Sequence, residues 1–292
     1  MPLKIWIAAA RPRTLPAAIA PVLVGTALAI ADDVFRPLAF LAALIGSVFI
    51  QVGTNLANDY SDARRGADTA DRLGPVRVTA SGLVAPRQVL VATWLAFGIA
   101  VLFGIYLIAL VGWELLAIGA ASILAGVLYT GGPRPYGYEG LGELFVFFFF
   151  GVVAVVGSYY VQTENFDGLA FALAVPVGLL AAAILMVNNI RDLDTDSRVG
   201  KRTLAVRLKR DNARLLYTAT LWGAFGWTLG LAIGEEPWLL PAAATVAVLG
   251  PALSKTVATR TDGPSLNGAL AGTARLLAVY SLVLSAGVLL GY

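Results

Sequence analysis

The chain has 292 residues, of which 58% are hydrophobic and 13% charged, with a formal net charge of +3. A soluble domain carries about 25% charged residues, so this composition describes a polytopic membrane protein, and no nucleic-acid partner is expected. Cysteine and histidine are both absent, which excludes disulfides, thiolate chemistry, histidine-ligated haem and the usual zinc site and leaves oxygen ligands, the preference of magnesium or calcium, for any metal.

Nine apolar runs are long enough to be read as spans, near 14–32, 37–57, 88–110, 113–130, 141–161, 169–190, 213–233, 237–255 and 268–290; a span needs about 20 helical residues. The expectation is therefore an all-α bundle of about nine transmembrane helices. The first run follows Arg11 and Arg13 and does not read as a cleaved signal. With the N-terminus in the cytoplasm, 19 of the 21 basic residues fall on inner segments, and the outer loops carry acids such as Asp32, Asp33, Glu164, Asp167, Glu235 and Glu236. The positive-inside rule then puts the two long polar loops, 58–87 and 188–212, on the cytoplasmic side and the C-terminus outside. Arg275 is the one charge placed within a span, where it would pair with a carboxylate, reach a substrate anion or snorkel.

Two stretches stand out where apolar runs end. Residues 55–69 read NLANDYSDARRGADT and residues 188–203 read NNIRDLDTDSRVGKRT. At an offset of 134 residues, Asn55 falls on Asn189, Asn58 on Asp192, Asp62 on Asp196, Gly66 on Gly200 and Thr69 on Thr203. Such a match suggests two related halves, each giving one acidic helix end to a shared site. Asp192 and Asp196, four apart, share a helix face with Asn189. Acids at the end of a membrane helix mark function by default. Asn58, Asp59, Asp62, Asp192 and Asp196 form a candidate oxygen set for magnesium, and Arg64, Arg65, Arg72, Arg77, Arg191, Arg198, Lys201 and Arg202 surround it. Acids beside bases suggest a metal-bridged anion; a diphosphate fits, with arginine taking the remaining phosphate oxygens. A solvated, positive-inside loop is the plainer reading of the individual bases, and a helix C-cap is an equal reading of Gly66 and Gly200.

A diphosphate at a membrane face points to a lipid, and polyprenyl diphosphates are the largest such class. Phe147–Phe150, Tyr129, Tyr159 and Tyr160 offer aromatic walls for an allylic cation, although the phenylalanine run taken alone reads as lipid-facing or packing surface. Tyr129 opens a glycine- and proline-rich loop, YTGGPRPYGYEGLGE, whose one base, Arg134, suits a carboxylate on an acceptor; Glu139 and Glu143 read as bases or as helix caps.

At these residues the chain resembles the UbiA superfamily of intramembrane prenyltransferases. NDYSDARRGAD (58–68) and DLDTD (192–196) resemble its two acidic motifs, except that Gly66 stands where the last aspartate of the first motif is expected, with Asp68 two residues on, so no ligand role carries over to Asp68. The segments 58–84, 128–143 and 188–208 are similar to the 1,4-dihydroxy-2-naphthoate polyprenyltransferases of menaquinone synthesis within it. The resemblance implies a helical bundle around a central cavity and magnesium-dependent transfer of a polyprenyl chain from its diphosphate to 1,4-dihydroxy-2-naphthoate, with loss of carbon dioxide, in the cytoplasmic (inner) membrane. It implies that Asn58, Asp62, Asp192 and Asp196 hold magnesium with Asp59 beside them. It also implies that Arg72, Arg77 and Lys201 contact the diphosphate, and that Tyr129 and Arg134 lie near the acceptor. Asn55 and Asn189 join the expected substrate-binding set as the matched asparagines of the repeat. The competing readings are a related prenyltransferase with another acceptor, such as 4-hydroxybenzoate, and an inverted-repeat transporter, which would place its site nearer the midplane.

Overall fold

A computed structural model describes residues 3–68, 72–234 and 236–291, and these are all helix, turn and loop. Thr69 and Glu235 lie outside the described residues. The helices are α1 Leu3–Ala10, α2 Pro16–Ala31, α3 Pro37–Arg64, α4 Pro86–Val111, α5 Glu114–Leu128, α6 Gly142–Val146, α7 Ala154–Thr163, α8 Gly168–Arg198, α9 Leu204–Gly234, α10 Leu240–Thr259 and α11 Gly263–Gly291. Prolines 16, 37 and 86 open α2, α3 and α4, where the missing N–H has no helical partner to lose.

The chain is a multi-pass membrane protein. Among the described residues six helical stretches are long and apolar enough to cross a bilayer, and a seventh arises if Leu3–Thr14 and Pro16–Ala31, bent by 54°, count as one span. The expected count of nine also included α5 and α9. Helix α5 has 15 residues, about 22 Å at 1.5 Å per residue, short of a core of about 30 Å. Helix α9 begins with Arg207, Lys209, Arg210 and Arg214 and breaks its backbone at Lys209 (φ 64°), so only its later part is apolar.

Helix α8 is the pillar. Of its apolar window 72% is buried, against 17–39% for the other five long helices. It is apolar on every side through Leu173, Val177, Leu180, Ala183, Val187 and Ile190, all fully buried, and a helix apolar all round belongs inside other protein. It packs on α9, α11, α2 and the segment joining α6 to α7. Small residues set how close the helices come, as membrane packing requires. A Cβ on Gly25 of α2 would lie 2.2 Å from the Val155 carbonyl oxygen, and one on Gly178 of α8 would lie 3.0 Å from the Gly151 Cα. Gly151 sits in a π-helical stretch, Phe147–Val153, and there Phe148 is exposed while Phe150 packs on the core.

Both acidic stretches continue their helices past the apolar runs: α3 runs on to Arg64 and α8 to Arg198. The 65–85 loop then folds back over the end of α3. Val78 and Val84 are buried with Ala9, Leu56 and Val89, and Trp6 of α1 packs against the same cluster.

Candidate active site

The two matched stretches end in the same cap. In α3 the Ala67 N–H donates to the Asp62 carbonyl at 2.9 Å and Gly66 N–H to the Ala63 carbonyl at 3.1 Å; in α8 the Lys201 N–H donates to the Asp196 carbonyl at 2.9 Å and Gly200 N–H to the Ser197 carbonyl at 3.3 Å. Gly66 and Gly200 take φ values of 68° and 75°, the left-handed region that glycine enters without a Cβ penalty. The cap turns the chain sharply, so that Asp68 and Lys201 point back at their own helix ends.

The caps bring the acids of both stretches together, and cations lie between them. Arg72 reaches Asp68 at 3.3 Å and Asp192 at 3.1 Å. Arg77 reaches Asp62 at 3.5 Å and Asp68 at 3.3 Å. Lys201 reaches Asp62 at 3.7 Å and Asp196 at 4.0 Å. Each of the three cations thus bridges two carboxylates, and among the described residues no three acids converge directly on one point. Among the described residues, Asp68 Oδ2 and Arg77 Nη1 have no hydrogen-bond partner, and Arg72 Nη1 and Arg77 Nε have only their 3.3 Å ion pairs with Asp68. Unsatisfied buried polar atoms are expensive. Here they are an acceptor suited to a hard cation and a donor suited to anionic oxygens. The site therefore puts oxygen donors of the type a hard cation takes, on Asn58, Asp62, Asp68, Asp192 and Asp196, beside nitrogen donors of the type an anion takes. Burial, reinforced by Asp62 and Asp59 and opposed by Arg72, pushes the Asp68 carboxyl up to about 6; a divalent cation beside it would reverse that.

The remaining expected residues take varied positions. The Asn58 carbonyl oxygen accepts from Thr130 Oγ1 at 3.0 Å at the base of the 128–143 loop. Asp59 is turned elsewhere: its two oxygens accept the Val78 and Thr79 N–H groups at 3.1 and 2.8 Å and so anchor the 65–85 loop. Asn55 donates to the Ala10 carbonyl and to Thr14 Oγ1, holding the α1–α2 corner. Asn189 donates to buried Glu143 at 2.8 Å. Tyr129 is half-buried under Gly137 and Gly142, edge-on to Tyr136 at 5.5 Å, and Tyr136 in turn stacks on Phe145 at 4.1 Å. Arg134 points outward, 83% exposed, with Glu139 at 3.4 Å, and the structure does not bring it to the cluster. Arg275 is exposed on α11 and lies outside the bundle interior.

Two participants, Asp68 and Tyr138, go beyond the expected set, and Arg191, one of the expected surrounding bases, takes a specific partner. Asp68 joins the cluster because the cap at Gly66 redirects the chain there, and it pairs with Arg72 and Arg77. Tyr138 donates to Asp62 at 2.8 Å, with Lys201 over its ring at 5.0 Å and Arg65 at 5.7 Å; burial and the nearby Asp62 charge push its phenol well above the ordinary tyrosine range. Arg191, also buried, grips the neighbouring Asp192 through two bonds of 2.8 and 2.6 Å, and Asn188 and Asn267 at 2.8 Å hold it in place. The YGYEG run and the adjacency of Arg191 to Asp192 were the available signals.

The fold and the site together define an all-helical membrane bundle with a charge-bridged acidic cluster at two helix ends. The chain belongs to the UbiA prenyltransferase family, whose pattern matches residues 18–275. It is 46% identical over 233 residues to the 1,4-dihydroxy-2-naphthoate octaprenyltransferase of Mycobacterium tuberculosis, covering 80% of this chain and 79% of that protein. It is 41% identical to the enzyme of the same name from Escherichia coli, covering 76% and 74%. The fold is similar to that of a UbiA homolog from Archaeoglobus fulgidus bound to GPP and Mg2+, with a TM-score of 0.69 at 12% identity over 96% of this chain and 99% of that one. It is also similar to a UbiA homolog from Aeropyrum pernix K1, with a TM-score of 0.68 at 15% identity over 92% and 96%.

Proposed function

We propose that this protein transfers a polyprenyl chain from a polyprenyl diphosphate to 1,4-dihydroxy-2-naphthoate, releasing diphosphate and carbon dioxide and giving a demethylmenaquinol. The observation that carries the reading is the cluster of three cations each bridging two carboxylates, with an unsatisfied donor and an unsatisfied acceptor side by side. The names of the relatives in Mycobacterium tuberculosis and Escherichia coli support the acceptor.

Asn58, Asp62, Asp68, Asp192 and Asp196 would hold magnesium, which would supply neutralisation of the diphosphate charge and so a better leaving group. The chain's own groups do the rest. Arg72, Arg77 and Lys201 exchange their carboxylate bridges for phosphate oxygens, a swap between two charge-assisted pairings. Asp59 keeps the 65–85 loop, and with it Arg72 and Arg77, against the end of α3. Tyr138 orients Asp62. The tyrosine–phenylalanine stack from Tyr129 to Phe145 offers ring faces to a developing allylic cation.

In the bond changes, the allylic C–O bond breaks and its electron pair leaves with diphosphate. The ring carbon bearing the carboxylate then bonds to the allylic carbon. Loss of that carboxylate as carbon dioxide returns the electron pair of its bond to the ring and restores the aromatic system. No strong base is needed, in keeping with a chain that has no histidine. The basic collar and the positive-inside rule support a site at the cytoplasmic face of the cytoplasmic (inner) membrane, with the prenyl tail among the apolar helices and membrane lipid around them.

Purified protein in detergent, given a polyprenyl diphosphate and 1,4-dihydroxy-2-naphthoate, should form a prenylated, decarboxylated product only with magnesium present. Product from 4-hydroxybenzoate in its place would keep the chemistry and change the acceptor. Diphosphate binding without product from any aromatic acceptor would overturn the reading.

A further inference from the structure

A groove of about 360 Å3 opens on the flank of the bundle between α1 and the first turns of α4, lined by Trp6, Arg87, Gln88, Val91, Ala92 and Leu95. Pockets of about 300–1,000 Å3 hold small ligands. The five α4 residues form one stripe of that helix, rising about 12 Å from Arg87 to Leu95. The stripe is apolar along its length and charged at its base: Val91 and Leu95 are exposed, and so are Arg87 and Gln88 in the first turn. Among the described residues no carboxylate pairs with Arg87. Helix α4 is the least covered of the six long apolar helices, with 17% of its apolar window buried, so this flank meets lipid. Helix α1 adds exposed Leu3 and Ile7, one turn apart, and exposed Lys4. Exposed apolar side chains beside a tryptophan and bases are what a bilayer interface selects.

From this arrangement we propose that the groove binds an anionic phospholipid, with an acyl chain along Val91, Ala92 and Leu95 beside Trp6 and the phosphate at Arg87. Charge complementarity selects the headgroup: an exposed guanidinium with no carboxylate partner favours a lipid of net negative charge over a zwitterionic one. The lining distinguishes this ligand from a prenyl diphosphate, because it holds one base and no acid that could carry a metal. The site also has a bearing on the acidic cluster. Trp6 and Ala92, which line the groove, pack on the buried set Ala9, Leu56, Val78, Val84 and Val89, and the Val78 N–H is bonded to Asp59 at 3.1 Å. A lipid seated in the groove covers that set from the bilayer side and so steadies the 65–85 loop, which carries Arg72 and Arg77.

The test places the whole chain in phosphatidylcholine nanodiscs that contain an equal small fraction of either phosphatidylglycerol or phosphatidylcholine with brominated acyl chains, which quench nearby tryptophans. The contribution of Trp6 is the difference from Trp6→Phe. Brominated phosphatidylglycerol should quench Trp6 several-fold more than brominated phosphatidylcholine. Arg87→Gln should raise the half-saturating fraction of phosphatidylglycerol roughly fivefold, the weight of one base at an anionic membrane surface, and Arg87→Lys should leave it nearly unchanged. Phosphatidylglycerol should also raise the melting temperature of wild type more than that of Arg87→Gln, as a ligand of the folded state does. Native mass spectrometry of wild type and Arg87→Gln supplies the same comparison if Trp6→Phe does not fold: wild type should retain a phosphatidylglycerol that Arg87→Gln loses. Equal quenching by the two lipids, a preference that Arg87→Gln leaves intact, or displacement of the lipid by a polyprenyl diphosphate overturns the assignment. None of these readings depends on turnover, so failure of the transfer reaction proposed above would leave them standing.

Discussion

Arg72 Nη2 lies 3.1 Å from Asp192 Oδ2, joining the loop after α3 to the end of α8 across 120 positions of sequence. Arg191 grips the same carboxylate from the neighbouring position. Asp192 therefore carries two tasks, and its replacement removes the partner of a buried arginine as well as a proposed metal ligand. Asp192→Asn should lose turnover and also about 3 kcal/mol of stability, the scale of breaking a buried pair, seen as a lower melting temperature in detergent. Asp196→Asn, whose nearest cation is 4.0 Å away, should lose turnover with the melting temperature nearly unchanged. Equal melting temperatures for the two variants would remove this distinction.

Asp59 and Asp62 sit three residues apart and should fail differently. Asp59→Asn weakens the acceptor of two loop N–H groups; it should destabilise by about 1–3 kcal/mol and lower turnover through the loop, with the magnesium concentration for half-maximal rate unchanged. Asp62→Asn should abolish turnover. A magnesium titration of each variant decides, and a shifted requirement in Asp59→Asn would return that residue to the ligand set.

Arg134→Ala should change the KM of either substrate by less than about threefold, because the side chain is exposed and its ion pair with Glu139 is a surface one. Arg77→Ala, which strips the bridge from Asp62 and Asp68, should raise the diphosphate KM by tenfold or more, roughly one charge-assisted pair. Steady-state kinetics with both substrates varied would show a reversed order if Arg134 were the closer residue.

Chelation should stop catalysis without unfolding the protein. Arg72, Arg77 and Lys201 neutralise the acids in the absence of metal, so the cluster keeps its charge balance. Protein treated with EDTA should keep its helical circular dichroism and regain its rate on adding magnesium; loss of helix on chelation would mean that the metal holds the fold.

Gly25→Val should prevent proper closure of α2 on α7. A Cβ there would be 2.2 Å from a backbone carbonyl, which cannot rotate away as a side chain does. Overpacking of this kind typically costs about 1–3 kcal/mol. Reduced yield of monodisperse protein in detergent is the expected outcome.

The membrane class, the all-helical fold and the two acidic helix ends were all legible in the residues, because each depends on local properties: apolar runs, charge bias, and a repeat with its glycine caps at 66 and 200. The number of spans was less legible. Helix α5 is short, and the first apolar run is only the second arm of a bent pair, α1 and α2, features that hydropathy alone does not resolve. Within the site, residue type identified candidates without assigning tasks. Asp59 and Asp62 look alike in sequence, yet one turns to the Val78 and Thr79 amides and the other to Arg77, Lys201 and Tyr138, because Asp62 lies most of a turn nearer the helix end, where segments distant in sequence arrive. Arg134 shows the same limit in reverse: a base in a suggestive loop proved exposed. Sequence by itself determined which chemistry this protein has at hand, since composition and local pattern decide what a segment buries and where its helices stop. Only the tertiary structure decided which acid faces which cation, because Arg72–Asp192 and Lys201–Asp62 join segments more than a hundred residues apart and the nearer pairs depend on where α3, α8 and the loop after α3 come to rest.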